Sequence, residues 1–87
     1  MNRRDLKVII EDEGLIDAVF LDETSIKEDV VVLERLESDW AVYLTIDRAM
    51  IVKTTFRRFA TEPEALEYML VKLRQSAHAR HRLAELD

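Results

Sequence analysis

The chain has 87 residues, a mass of 10.2 kDa and a net charge of −5, which is room for one domain spanning residues 1–87. Its 48% hydrophobic fraction argues against disorder, its 36% charged fraction against a membrane span, and its lack of cysteine against disulfides and thiolate chemistry. One glycine and one proline exclude a glycine-rich phosphate loop, and no apolar run resembles a signal peptide, so we expect a soluble, cytoplasmic domain.

The first segment, residues 5–13, carries two overlapping patterns. Leu6, Ile9 and Ile10 fall at helical spacing, and Gly14 stands where a glycine commonly ends a helix. The apolar residues of the same segment also alternate in part, and their β-branched types favour a strand. We prefer the helix, and the strand remains the alternative.

Residues 15–29 mix single apolar residues with acids, which predicts an irregular connection. Three strands follow, each rich in β-branched residues or alternating in character, and short polar turns separate them. We place them at Val30–Leu36, Trp40–Ile46 and Ile51–Phe59. Connections this short make the strands an antiparallel meander. Because Phe56 and Phe59 would fall on opposite faces of a regular strand, the third strand either contains a bulge or ends before Phe59.

The last segment predicts a long helix. Thr61 and Glu64 form a capping-box pair, and Pro63 lies in the first turn, where no hydrogen bond is lost. An apolar stripe with helical spacing follows at Leu66, Met69, Leu70, Leu73 and Ala77. The predicted fold is therefore α+β in the order α-β-β-β-α, a three-stranded antiparallel meander covered by the C-terminal helix, with Trp40 packed in the core.

Catalysis is difficult to build from this composition. His78 and His81 lie three residues apart among arginines, which would repel a divalent cation, and two histidines need a third ligand. The many acids lie in segments without an apolar pocket that could raise a carboxyl pKa. We expect a protein that is not an enzyme and has neither a cofactor nor a metal site.

Nucleic-acid binding has one candidate surface, but the chain is acidic overall, with a pI of about 5.0. The bases that could form it are Lys53, Arg57, Arg58, Arg74, Arg80 and Arg82. Charge is distributed unevenly: residues 1–47 hold 13 acids against 5 bases, whereas residues 48–87 hold 5 acids against 8 bases. The front half is therefore suited to a basic protein surface and poorly suited to a phosphate backbone.

Several short motifs occur in a recognisable order. They are Val32–Arg35 (VLER), Trp40–Tyr43 (WAVY) and Phe59–Leu66 (FATEPEAL), followed by Met69, Leu70 and Leu73. Over roughly residues 4–73 the chain resembles a family of small acidic immunity proteins of bacterial polymorphic-toxin and contact-dependent growth inhibition systems. It departs from that pattern at Leu44, where the family has a second tyrosine, and at residues 47–49, where the family has a Glu-Arg-Gly turn.

The resemblance implies an antitoxin that binds a cognate bacterial toxin domain, commonly a nuclease. A nuclease has a basic cleft for its substrate, and clustered carboxylates can occlude such a cleft and speed association. The candidate contact residues are the acids Asp12, Glu13, Asp17, Asp22, Glu23, Glu28, Asp29, Asp39 and Asp47, with Phe20 and Tyr43 as apolar anchors. The alternatives are a homodimerisation module and an acidic nucleic-acid mimic that inhibits a defence system.

Overall fold

The computed structural model describes the backbone of residues 1–86 and the side chains of residues 1–48 and 50–80. Within these residues the chain is α+β, with two helices and one four-stranded sheet. The elements in order are α1 (Arg3–Glu13), β1 (Ala18–Phe20), β2 (Val31–Arg35), β3 (Trp40–Ile46), β4 (Met50–Phe59) and α2 (Glu62–Leu86), with a 3-10 turn at Asp47–Ala49 between β3 and β4. Across the described part of the chain, neither helix combines the length and apolar character needed to cross a bilayer.

The first segment is a helix, as preferred from its spacing, and both ends are capped. At the start, the Asn2 side chain accepts from the backbone N–H of Asp5, and the Asp5 carboxylate accepts from the backbone N–H of Asn2. This reciprocal pair satisfies two N–H groups that the first helical turn leaves free. At the other end Gly14 adopts the left-handed conformation with φ 65°. A side chain there would be strained, so the glycine ends the helix.

The sheet is mixed, which corrects the predicted three-stranded antiparallel meander. The three predicted strands are present, and β2–β3 and β3–β4 pair antiparallel. The correction is β1, which lies in the stretch expected to be irregular and pairs parallel to β2, with Val19 opposite Val32. Three residues are too few to show an alternation, and acids flank them, so the sequence pattern does not reveal this strand.

The connection between β1 and β2, residues 21–30, runs back to the start of β2 without a helix. Leu21 and Val30 pack against the face of the sheet that carries Val32 and Tyr43. Thr45 on the same face donates to the carbonyl of Lys27 at 2.7 Å and accepts from the N–H of Val30 at 3.2 Å. The connection therefore covers this face in place of a helix.

A bulge interrupts the pairing of β3 with β4. The register shifts between Val42, which lies opposite Arg57, and Leu44, which lies opposite Val52. The Thr55 hydroxyl accepts from the N–H of Leu44 at 2.9 Å and donates to the carbonyl of Val52 at 2.6 Å. The side chain thus replaces a backbone partner where four residues of β4, 53–56, stand opposite the single residue Tyr43 of β3. Phe56 and Phe59 pack on opposite faces of the sheet, as residues three apart in a strand do, and β4 runs on to Phe59.

Two buried clusters lie on the two faces of the sheet. Both helices pack on the first face, whose cluster includes Leu6, Leu33, Val42, Leu66, Met69 and Leu73. Trp40 is half-buried against this cluster, so its predicted packing is confirmed, and its ring also lies beneath the guanidinium groups of Arg3 and Arg35. The second cluster, on the opposite face, is Val19, Val32, Ala41 and Tyr43.

Candidate protein-binding surface

The predicted contact acids lie at two opposite ends of the sheet. β1 and β2 run parallel to each other and antiparallel to β3, so β1 and β2 begin at the end of the sheet where β3 finishes. Asp22, Glu23 and Asp39 lie at the end where β1 finishes and β3 begins. The remaining six lie at or beside the other end, which we call the acidic end: Asp12, Glu13, Asp17, Glu28, Asp29 and Asp47.

Asp22 and Glu23 are bound to bases of the same chain. Arg3 lies 2.9 Å from both carboxylates and 2.7 Å from Glu62 of α2, and Lys7 lies 2.7 Å from Glu23. The hydrogen bonds from Lys7 and Arg3 hold the pKa of Glu23 below its ordinary value. Burial alone would lower the pKa of Arg3, but its bonds to the three carboxylates outweigh burial and raise that pKa. Arg3 therefore holds α1, the connection and α2 together, with Asp22 and Glu23 as its partners in the connection.

Asp39 is also paired, since Arg58 of β4 lies 2.6 Å from it. This ion pair joins the turn before β3 to the end of β4. The three acids at this end of the sheet thus have internal partners and offer a partner protein less unpaired charge than the sequence suggests.

Two acids of the acidic end tie the N-terminal part of the chain to α2. Arg74 lies 2.6 Å from Glu13, and Arg80 lies 2.8 Å from Asp17. The hydrogen bond from Arg74 is the main reason that the pKa of Glu13 is below its ordinary value, and the same bond raises the pKa of Arg74. Arg74 and Arg80 thus balance acids within the fold, and two bases of the candidate nucleic-acid surface, which the acidic pI already disfavours, are paired internally.

The other four residues of the acidic end, Asp12, Glu28, Asp29 and Asp47, form no ion pair with any side chain in residues 1–48 and 50–80. All four are exposed. Glu28 accepts from the backbone N–H of Arg48 at 3.1 Å, which joins the connection to the turn after β3. Asp29 has a positive φ of 56°, a conformation that aspartate tolerates better than most residues. The Glu28 carboxylate is therefore held by a backbone N–H, and all four carboxylates lack an ionic partner among the described side chains.

Exposed aliphatic side chains lie beside these acids. Met50 is 61% exposed, Ile46 48% and Ile51 44%, all next to the 3-10 turn that contains Asp47, and Ile16 before β1 is 75% exposed. An open groove of about 470 Å³ separates Ile46, Leu44 and Val30 from Ala79 of α2, with Asp17 and Asp29 also lining it. Apolar surface surrounded by charge is typical of protein-binding sites.

The predicted anchors Tyr43 and Phe20 lie inside the molecule. Tyr43 is 1% exposed, stacks on Phe56 with ring centroids 5.6 Å apart, and donates its hydroxyl hydrogen to Glu34 at 2.7 Å. Burial, and then the bond to Glu34, raise the pKa of the Tyr43 hydroxyl. Phe20 is 8% exposed beneath the cations of Arg3 and Lys7. In this structure neither ring offers surface to a partner.

The exposed aliphatic residues were not predicted from the sequence. Ile46 and Ile51 belong to strands whose alternation predicts burial, and the sequence does not show how far along each strand the helices pack. Met50 stands in a predicted turn. An apolar residue in a turn was the one sequence feature that could have indicated exposed apolar surface here.

No group of three or more acidic or histidine side chains within residues 1–48 and 50–80 is arranged to hold a metal ion. His78 is exposed, and the side chains of His81 and Arg82 lie outside the described residues. Comparisons with known protein families, with curated proteins and with solved structures found no match for this chain. A functional interpretation therefore depends on the surface itself and on the motif resemblance.

Proposed function

We propose that this chain is an immunity protein that acts in the cytoplasm by binding a cognate bacterial toxin domain, a basic nuclease, and occluding its active site. The acidic end makes the contact in this proposal, and the chain itself performs no catalysis. One observation carries it: four exposed acids without an ionic partner among the side chains of residues 1–48 and 50–80 stand beside exposed aliphatic residues at one end of the sheet.

The arrangement suits the two steps of binding. Unpaired carboxylates attract a basic partner over a distance of about 10 Å at physiological salt, which speeds the first encounter. Ile46 and Met50 then supply apolar surface whose burial slows dissociation. The hydrogen bonds of Thr45 and of the Arg48 N–H fix the connection that carries Glu28 and Asp29, so little conformational freedom is lost on binding.

The two alternatives have less support. Homodimerisation through β4 would set the bases Lys53, Arg57 and Arg58 of one copy against the same bases of another, with no acid in Met50–Phe59 to balance them. A nucleic-acid mimic needs unpaired carboxylates along one face. Here the acids are divided between two ends, and those at one end are neutralised by internal bases.

Co-expression with the C-terminal domain encoded immediately upstream tests the proposal. We expect cells to survive when this chain is present and the two proteins to co-purify. The double variant Glu28→Lys/Asp47→Lys should lose protection, whereas Glu11→Lys/Glu37→Lys changes the net charge equally at exposed sites elsewhere and should protect. Equal protection by both variants would contradict the role of the acidic end, and cell death with the wild-type chain would contradict the function.

A further inference from the structure

β4 is an edge strand of ten residues whose one strand partner within the described backbone, residues 1–86, is β3. One side of its backbone is therefore left without a strand partner, and such an edge is a template for an added strand. We propose that β4 binds an extended acidic segment of a partner protein, which adds to the sheet as a further strand. The inference is argued from β4 and does not depend on toxin binding, although Met50 and Ile51 at the start of β4 also lie beside the acidic end.

The charge of the edge defines the partner. Lys53, Arg57 and Arg58 are exposed, and no acidic residue occurs between Met50 and Phe59. Only Arg58 has an acidic partner, Asp39, among the described residues. Opposite charges on neighbouring strands attract and like charges repel, so an acidic strand is favoured over a basic one. A second copy of β4 would bring three more cations and is disfavoured.

Arg57 adds selectivity. Its guanidinium donates to the backbone carbonyls of Phe56 at 3.1 Å and Thr54 at 3.4 Å, so it lies along the strand and occupies acceptors of the edge. A carboxylate is a stronger acceptor than a carbonyl, so an acidic side chain can draw the guanidinium away from the backbone. A strand without acidic side chains offers the Arg57 guanidinium no such acceptor, so the guanidinium stays on the backbone carbonyls of β4.

The edge also has places for apolar side chains. Met50 and Ile51, at the start of the strand, are 61% and 44% exposed. In an added strand the side chains alternate between the two faces, so acidic and aliphatic residues in alternation match both features. The partner segment that fits β4 is therefore extended, acidic and interspersed with aliphatic residues.

A short synthetic peptide of alternating glutamate and valine provides the probe. Amide resonances of the folded chain report its binding, and those of β4 are expected to shift most. The variant Lys53→Glu/Arg57→Glu should bind about tenfold more weakly. The variant Arg4→Glu/Lys27→Glu changes the charge equally at exposed sites on α1 and the connection, and should bind like the wild-type chain.

Two further ligands distinguish strand addition from simple attraction of anions. The same peptide with alternate backbone amides methylated keeps its carboxylates but cannot pair as a strand, and we expect it not to bind. A single-stranded oligothymidylate tests for a general polyanion surface and should bind more weakly than the peptide. The proposal would be overturned if the methylated peptide or the oligonucleotide bound as tightly as the unmodified peptide, or if no peptide bound.

Discussion

Arg3 Nη2 lies 2.7 Å from Glu62 Oε2, a contact that joins the first turn of α1 to the first turn of α2 across 59 residues of sequence. The same guanidinium reaches Asp22 and Glu23 in the connection and lies over the ring of Phe20. Its side chain is only 19% exposed, so solvent screens these ion pairs less than it would at an open surface. Arg3 therefore connects both helices to the sheet at this end of the molecule.

Arg3→Ala should lower the free energy of unfolding by about 2 kcal/mol, because three carboxylates lose their shared partner at once. Arg4→Ala provides the control, since Arg4 is exposed and makes no described ion pair, and it should change stability by less than about 0.5 kcal/mol. Urea denaturation followed by circular dichroism measures both. Equal stability of the two variants would contradict the connecting role of Arg3.

Glu23 should make stability depend on acid. Its pKa is lower in the folded chain than in the unfolded chain, so the folded state favours the carboxylate. The stabilisation is complete above the ordinary glutamate pKa of about 4.3 and is lost as the pH falls through the lowered value. Denaturation at a series of pH values should therefore show wild type more stable than Glu23→Gln near neutrality, with the difference vanishing in acid. Glu11→Gln, at an exposed position of α1 without an ion pair among the described side chains, provides the control near neutrality and should change stability by less than about 0.5 kcal/mol there.

Tyr43 should limit stability in alkali. Its pKa is raised on folding, so the neutral hydroxyl stabilises the fold below the ordinary tyrosine pKa of about 10, and this contribution is lost as the pH rises through the raised value. Tyr43→Phe should cost about 1 kcal/mol near neutrality, because the bond to Glu34 is gone, and should lack this alkaline loss. Thermal denaturation across the alkaline range measures it, and an unchanged profile in Tyr43→Phe would assign the loss to other groups. Tyr68→Phe, which removes a part-buried hydroxyl that donates to the Thr55 carbonyl at 3.3 Å, is the control for the loss of a tyrosine hydroxyl near neutrality.

Thr55→Val tests the bulge. Valine has nearly the same shape but leaves the Leu44 N–H without its acceptor and the Val52 carbonyl without its donor, so we expect a loss of about 1–3 kcal/mol. Thr54→Val, at the neighbouring exposed position, should be nearly neutral. If both variants unfold at the same urea concentration, the hydroxyl does not support the bulge.

Local patterns in the sequence were sufficient for the regular elements. The spacing of Leu6, Ile9 and Ile10 with Gly14 predicted α1, and the apolar stripe that begins at Leu66 predicted the helix that covers the sheet. Each of these features depends on residues close together in the chain, which is why sequence alone could reveal them.

Features that depend on residues far apart in the chain could not be predicted from such local patterns. β1 exists because Val19 pairs with Val32, 13 residues later, and three residues carry no pattern of their own. Sequence gives the sign of a charge but not its partner. Asp22 and Glu23 looked like free surface acids until the fold placed Arg3 and Lys7 beside them. Tyr43 was predicted to be an interface anchor because the sequence of residues 21–30 does not show that this connection covers the face of the sheet that carries Tyr43.

The most direct test of the central claim is a titration of the purified toxin domain, in the presence of its substrate, with the purified chain. We expect toxin activity to fall linearly and to disappear at about one equivalent, with association that slows as salt increases. Glu28→Lys/Asp47→Lys should associate more slowly and show weaker salt dependence than Glu11→Lys/Glu37→Lys. Undiminished activity at a large excess of folded wild-type chain would contradict the account.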